Sequence, residues 1–251
     1  MSPYPVGVPP TPRSVAELLA LLTTDPGRPR LTWYSGDGER VELSGAVLDN
    51  WVSKTANLLV EEYDAGPGTR VLVDLPAHWR SVVWALAVWR VGACVVLDAA
   101  DDDTADLVVT ARPDARPGAR DLVAVALPAL ARRFDGELPA GAVDAAAAVM
   151  TYADRIGWAP AVEPGAAALE SPGGTTSHGE LFPAAGPAAD GTGRVLLAPE
   201  TAGTALDDVL AVLTAAGSVV LVDGAMAAAL RSDPGRRAAL VTGERVTDDR
   251  L

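Results

Sequence analysis

Apolar positions along this chain recur with two different spacings, which predict helices and strands in alternation. After Ser44 the apolar residues follow the helical period and form one stripe, made of Leu48, Trp51, Val52, Thr55, Leu58 and Leu59. The segment from about His78 to Val91 is apolar almost all round, which predicts a helix buried on several sides. A shorter helix follows Ser14, which we expect to cap it.

The strand-like segments lie between these helices. Residues 31–34 and 40–43 flank a Ser-Gly-Asp-Gly-Glu turn, which predicts a hairpin. Apolar runs on either side of the buried helix, at 70–75 and 93–97, predict a parallel βαβ unit. Further strands are expected at 107–110, 122–127, 166–170, 194–198 and 218–222, with helical sequence at 143–154 and 204–216. We predict a second βαβ unit over 166–222. The fold class is α/β, with a mainly parallel sheet flanked by helices.

Segments rich in proline and turn-forming residues suggest how the chain is divided into domains. Residues 1–13 form a Pro-rich leader without the charged and apolar regions of a signal peptide. Residues 14–251 are predicted to form a single α/β domain. The turn-rich stretch 99–121 and the Ala- and Pro-rich stretch 128–165 are the candidates for an internal boundary.

Composition narrows the classes of partner. The 251 residues carry a net charge of −13, which argues against nucleic acid and anionic membranes, since both reward clustered Lys and Arg. No apolar run reaches the roughly 20 residues that a membrane-spanning helix needs. The single cysteine, Cys94, lies in an apolar run and is expected to be a buried structural thiol. We predict a cytoplasmic protein.

The most suggestive stretch for chemistry is 171–182, which is rich in glycine and hydroxyl side chains. Its candidate ligand-binding residues form a degenerate phosphate loop: Gly173, Gly174, Thr175, Thr176 and Ser177. Glu180 stands where such a loop needs a cation, and a carboxylate repels phosphate. The only lysine, Lys54, lies far away on an early helix. An inherited surface turn is the favoured alternative to anion binding here.

Three other candidates are weaker. His78 and Trp79 follow a strand end, where α/β proteins often bind ligands, so they are a candidate pocket, with core packing as the favoured alternative. The adjacent Ser177 and His178 suggest a nucleophile and its base, but the G-x-S-x-G pattern is not satisfied. The acidic run 101–106 has the spacing of magnesium-diphosphate sites, yet a solvated loop fits an α/β pattern better. We expect no metal site.

From about Val15 onward, the order of elements resembles the N-terminal part of adenylate-forming enzymes, the acyl-CoA synthetase and AMP-dependent ligase superfamily. Residues 43–59, 66–76 and 85–98 resemble its opening helix, the next strand, and the helix and strand after that. Residues 173–180 stand where its Ser-Gly-Thr-Thr-Gly-x-Pro-Lys-Gly loop belongs. Segments at 38–44, 50–59 and 75–79 resemble a family of short bacterial proteins of about half that length.

The departures from the pattern shape what the resemblance implies. Ser177, Gly179 and Glu180 replace the motif's glycine, proline and lysine, and later adenine-binding motifs and the small C-terminal domain are not found. We therefore expect a truncated, non-catalytic relative without catalytic residues, and without ATP or magnesium as cofactor. It would bind a small acidic or acyl ligand, form a homodimer, or dock a protein partner. The alternatives are a catalytic half that needs a separate chain, and an unrelated small enzyme whose pocket gathers Asp74, His78 and the Gly-Thr loop.

Overall fold

The computed structural model describes residues 11–99, 104–182 and 193–251. Most of the predicted leader and residues 101–103 of the acidic run lie outside these ranges. Seven α-helices are present among the described residues: α1 Val15–Leu22, α2 Gly45–Tyr63, α3 Trp79–Arg90, α4 Ala145–Ala148, α5 Ala202–Thr214, α6 Gly224–Ser232 and α7 Pro234–Gly243. The side chains of Ser14 and Ser44 accept main-chain hydrogen bonds at the starts of α1 and α2. The prediction that these two serines begin the helices is therefore confirmed.

The strands form two sheets. One has five strands in the order β12-β10-β11-β1-β2, with bounds β1 Pro29–Tyr34, β2 Arg40–Ser44, β10 Arg194–Leu197, β11 Ser218–Val222 and β12 Asp248–Asp249. In this sheet only β2 is antiparallel to its neighbour, through the predicted hairpin with β1. The strands β10 and β11 pair in parallel and α5 connects them, so this predicted βαβ unit is confirmed.

The second sheet has seven strands in the order β7-β6-β5-β3-β4-β8-β9. Their bounds are β3 Arg70–Asp74, β4 Cys94–Val96, β5 Leu107–Thr110, β6 Leu122–Ala124, β7 Val143–Asp144, β8 Ala167–Ser171 and β9 Gly174–Ser177. The pairs of this sheet are parallel except β8 with β9. The strand predicted at 166–170 therefore belongs beside β4, not in the second βαβ unit, because Leu169 is in register with Val95.

The helix α3 lies between the two sheets. It packs against α1, α2 and α5 and against strands of both sheets. Its residues from Trp79 to Trp89 are all buried, as its uniform hydrophobicity predicts. The largest buried cluster includes side chains from both sheets, among them Leu31, Val71, Val95 and Val219.

The segment 143–154 is the helix prediction that needs correction. Val143–Asp144 is a short strand, α4 covers only Ala145–Ala148, and a 3-10 turn follows at Val149–Thr151. The side chain of Asp144 accepts hydrogen bonds from the N–H groups of Ala146 and Ala147 and so caps α4. The helix therefore begins two residues after the predicted start at 143. Among the described residues, no helix has both the length and the apolar character needed to cross a membrane.

Candidate functional site

The predicted Gly-Thr loop is a tight β-hairpin, which corrects the expected geometry. β8 and β9 pair antiparallel, with Glu170 opposite Thr175 and Ser171 opposite Gly174. The chain turns at Pro172 and Gly173, and Gly174 has a positive φ of 125°. Glycine is needed here because a residue with a Cβ is strained in that conformation. The glycines that resemble a phosphate loop thus serve a hairpin turn.

Glu180 is held by the residue three positions before it. Its Oε2 accepts hydrogen bonds from the main-chain N–H of Ser177 at 2.9 Å and from the Ser177 hydroxyl at 2.6 Å. These bonds lower the pKa of Glu180, so the carboxylate is ionised at neutral pH. The two donors of Ser177 that could face a phosphate are therefore already bound to an anion.

Ser177 and His178 do not form a nucleophile and base. The Ser177 hydroxyl donates to Glu180, whereas His178 is buried, with 4% of its surface exposed. Burial lowers the pKa of His178, and hydrogen bonding at the main chain of Gly92 and Ala93 acts against that change. Within the described ranges, Nε2 of His178 has no hydrogen-bond partner.

His78 and Trp79 lie at the carboxyl edge of the seven-stranded sheet, by which we mean the side where its parallel strands end. His78 caps α3, and its Nδ1 accepts from the N–H of Arg80 at 3.1 Å. Its ring packs edge-on against Trp33 at 4.5 Å between centroids. Burial, together with the nearby Arg80 cation, lowers the pKa of His78 to about 3. This histidine is neutral and serves packing and capping.

Arg80 completes that cluster. Its guanidinium stacks on Trp79 at 4.3 Å and donates to the carbonyls of Leu127 and Pro128. Burial lowers the pKa of Arg80 to about 10, with the charge of Glu39 opposing the change. A cation over an indole face that also donates to two carbonyl groups is held in place by the fold. These contacts give His78 and Arg80 structural roles, whereas Nε1 of Trp79 is buried without a hydrogen-bond partner among the described residues.

A second cluster at the carboxyl edge surrounds Asp74, which the sequence offered for the small-enzyme alternative, and its partners Thr110, Arg112 and Arg116 were not predicted. Asp74, at the end of β3, accepts from the Thr110 hydroxyl at 2.7 Å and from both Arg112 and Arg116. Burial alone would raise the pKa of Asp74, but the hydrogen bonds of Arg116 and Thr110 and the two arginine charges lower it. The signal available in the sequence was a polar residue closing each of two neighbouring strands.

Two cavities lie among the described residues, and neither has Asp74 or His78 in its wall. One, of about 430 Å³, is an open cleft where Glu244 pairs with Arg40 and Arg194. The other, of about 330 Å³, includes His178 and lies at the opposite edge of the sheet.

The remaining sequence candidates take structural roles. Cys94 is buried, as expected, and burial raises the pKa of its thiol to about 11. Lys54 donates to the carbonyl of Tyr152 at 2.6 Å and so fastens α2 to the segment after α4. In the ranges that the structure describes, no cluster of three or more His, Cys, Asp or Glu could hold a metal ion.

Sequence comparison with known proteins finds one curated relative of this chain. No protein-family model matches the chain. A protein of Mycobacterium tuberculosis, whose name gives a family label and no activity, is 40% identical over 154 residues. That alignment covers 59% of this chain and 63% of the relative. The chain thus matches somewhat less than two thirds of the curated relative's length.

Two solved structures that are similar to this chain are acyl-CoA synthetases. The acetoacetyl-CoA synthetase of Streptomyces lividans matches with a TM-score of 0.67 at 20% identity, over 83% of this chain and 38% of the enzyme. The acyl-CoA synthetase of Brucella canis matches with a TM-score of 0.66 at 19% identity, over 94% of this chain and 50% of the enzyme. The chain has an α/β fold like part of these enzymes, and it spans at most half of their length.

Proposed function

We propose that this chain is a non-catalytic relative of the adenylate-forming enzymes and acts as a binding module for a small ligand or a protein partner. The observation that carries the proposal is the carboxylate of Glu180 bound to both donors of Ser177. A phosphate group would need those donors and would meet a negative charge in the place of a cation. The proposal therefore includes the absence of ATP and magnesium binding at the hairpin.

The conformation of β9 supports the same conclusion. Phosphate loops bind through a concave nest of successive N–H groups. An extended strand sends alternate N–H groups in opposite directions, so β9, with its residues from Gly174 to Ser177, does not offer that nest. Glu170, opposite Thr175, adds a second carboxylate, which is ion-paired with Arg70. The hairpin is thus unsuited to a polyphosphate by both shape and charge.

The proposal is tested with the purified full chain. We expect no acid-dependent release of pyrophosphate from ATP and magnesium across a panel of carboxylic acids, and no rise in melting temperature on adding magnesium-ATP. Glu180→Gln removes the charge and keeps the size of the side chain, so it is the matched variant. If Glu180→Gln also fails to bind nucleotide, the strand conformation is sufficient to prevent binding. Adenylate formation by the unmodified chain would overturn the proposal.

The second candidate is a catalytic half that works with a separate chain. It is favoured by the coverage of the solved synthetases, of which this chain matches 38% and 50%. It predicts a stable complex that releases pyrophosphate when both chains are present. Light scattering combined with size exclusion would measure the mass of the isolated chain and so test the expected homodimer at the same time.

A further inference from the structure

A cavity of about 330 Å³ lies at the amino edge of the seven-stranded sheet, the side where its parallel strands begin. The helix α3 leaves the carboxyl edge and returns to the amino edge before β4, so its last residues mark this side. The wall is formed by the start of α1, the end of α3 with Trp89 and Arg90, the segment 160–162, and His178 and Phe182 after β9. The volume is at the small end of ligand pockets, about 300–1,000 Å³.

The first sign of a ligand is His178 in this wall. His178 is buried, with 4% of its surface exposed, yet its Nε2 has no hydrogen-bond partner in the described part of the chain. A buried polar atom without a partner costs about 1–3 kcal/mol, so it calls for an explanation. A ligand that accepts or donates at Nε2 would supply the missing hydrogen bond.

The second sign is the positive charge around the cavity. Arg90 is partly buried and makes no hydrogen bond or ion pair with the residues that the structure describes. Burial lowers its pKa, and the charge of Asp49 opposes the change without direct contact. Arg13 is exposed at the rim, 3.9 Å from Glu17. The first N–H groups of α1, at Val15 and Ala16, add the partial positive charge of a helix start.

The third sign is the apolar part of the wall. Trp89 and Phe182 are buried, and Pro160 and Val162 complete the surface. The indole N–H of Trp89 already donates to the carbonyl of Ala168 at 2.7 Å, so Trp89 offers the cavity only apolar contact. An inorganic anion would leave this surface unused, and an uncharged apolar molecule would leave Arg90 unpaired.

We propose that this cavity binds a small organic anion with an apolar body. The anionic group would contact Arg90, His178 and the start of α1, and the body would lie against Trp89 and Phe182. The inference gives the proposed binding role a location and a ligand class, and its meaning for the protein rests on that proposed function. Open α/β sheets usually bind ligands at the carboxyl edge. This cavity lies at the opposite, amino edge.

The test measures affinity by isothermal titration calorimetry with phenylacetate and hexanoate as probes. Phenylacetamide and hexanamide are uncharged controls of equal size, and sulfate is a control without an apolar body. We expect one saturable site for a carboxylate probe and at least tenfold weaker binding of its amide. The variant Arg90→Gln should lose about tenfold or more, the loss expected from a charge-assisted hydrogen bond.

Two further variants make the result decisive. Arg13→Gln changes an exposed side chain, so it should fold normally and lose about two- to fivefold in affinity. Arg231→Gln is the matched control for Arg90→Gln, since each arginine lies in the last turn of its helix and the net charge changes equally. Its affinity should equal that of the unmodified chain. Should Arg90→Gln fail to fold, Arg13→Gln and the amide controls decide the question.

Three results would overturn the inference: no probe binds, the amides bind as well as the carboxylates, or sulfate binds as well as the organic anions. These failures are distinct from failure of the proposed function. Pyrophosphate release in the presence of an intact carboxylate site would overturn the non-catalytic role and leave the cavity as a binding site. If the chain neither releases pyrophosphate nor binds a carboxylate probe, the cavity site is overturned and the non-catalytic role is retained.

Discussion

The two edges of the seven-stranded sheet differ in how their charged groups are paired. At the carboxyl edge Asp74 is bound by Thr110, Arg112 and Arg116. At the amino edge Nε2 of His178 has no hydrogen-bond partner among the described residues, and Arg90 makes no ion pair with them. The carboxyl edge is where an α/β fold leads one to look for a ligand. Nε1 of Trp79, at the carboxyl edge, is also buried without a hydrogen-bond partner among the described residues. What distinguishes the amino edge is that an unpaired imidazole nitrogen and an arginine without an ion pair line the same cavity.

This contrast shows that a polar cluster alone does not identify a binding site. Charged side chains that satisfy one another are stabilising elements of the fold, and a ligand would have to compete with the existing bonds. Buried groups without partners incur a cost that a ligand can remove. The distinction makes the predicted effects of removing an arginine differ between the two edges.

The largest effect is expected at the carboxyl edge. Arg116→Met removes the buried partner of Asp74, whose side chain is 13% exposed, and should lower the free energy of unfolding by about 2 kcal/mol. Urea denaturation followed by circular dichroism measures this. Arg112→Met is the matched control, because Arg112 is 72% exposed, and it should cost less than about 0.5 kcal/mol. Equal effects of the two variants would contradict the assignment of Arg116 as the buried partner.

An effect of similar size on the free energy of unfolding is expected from the protonation of His78 as pH falls. The folded pKa of about 3 lies below the unfolded value of about 6.5, so the unfolded chain takes up the proton first as pH falls. Stability contributed by neutral His78 is therefore present above pH 6.5 and is lost between pH 6.5 and 3. From pH 7 to 5 the loss should be about 2 kcal/mol.

The variant His78→Asn isolates that contribution. Asparagine preserves the helix cap but does not titrate, so its unfolding free energy should fall less steeply over the same pH range. His178 remains as the second histidine and retains its own share of the pH dependence. A slope identical to that of the unmodified chain would show that His78 is not buried in its neutral form.

The smallest effect on stability is expected at the amino edge. Arg90→Gln should change the free energy of unfolding by less than about 0.5 kcal/mol, because no described hydrogen bond or ion pair is lost. The same variant should weaken binding of phenylacetate about tenfold. A large loss of stability in Arg90→Gln would mean that this arginine is a structural group, as Arg116 is, and the contrast between the edges would disappear.

Much of the fold follows from the local pattern. The stripe on α2, the all-round hydrophobicity of α3 and the serine caps of α1 and α2 predict those helices within a few residues. The pairing of β8 with β4 was not visible, because register between distant strands is set by packing and leaves no local trace. The sequence left two interpretations open for the segment that forms the hairpin β8–β9, because a turn and a phosphate loop both require glycine with unusual dihedral angles.

The candidate site was harder to predict than the fold. His178 attracted notice only as a neighbour of Ser177, which is bound to Glu180 instead. Arg90 is far from His178 along the chain, and only the tertiary fold brings both into the wall of one cavity. Whether a polar atom has a partner depends on such tertiary contacts. The sequence therefore indicates which groups are polar, and the structure indicates which are unsatisfied.

The most direct test of the contrast uses the two histidines, His78 and His178, as reporters for the two edges. Imidazole ¹⁵N resonances are recorded while phenylacetate is added to the full chain, and again with magnesium-ATP. We predict that phenylacetate shifts the signal of His178 saturably and leaves that of His78 unchanged, and that magnesium-ATP shifts neither. A shift of His78 alone, or of His178 with magnesium-ATP, would contradict the account.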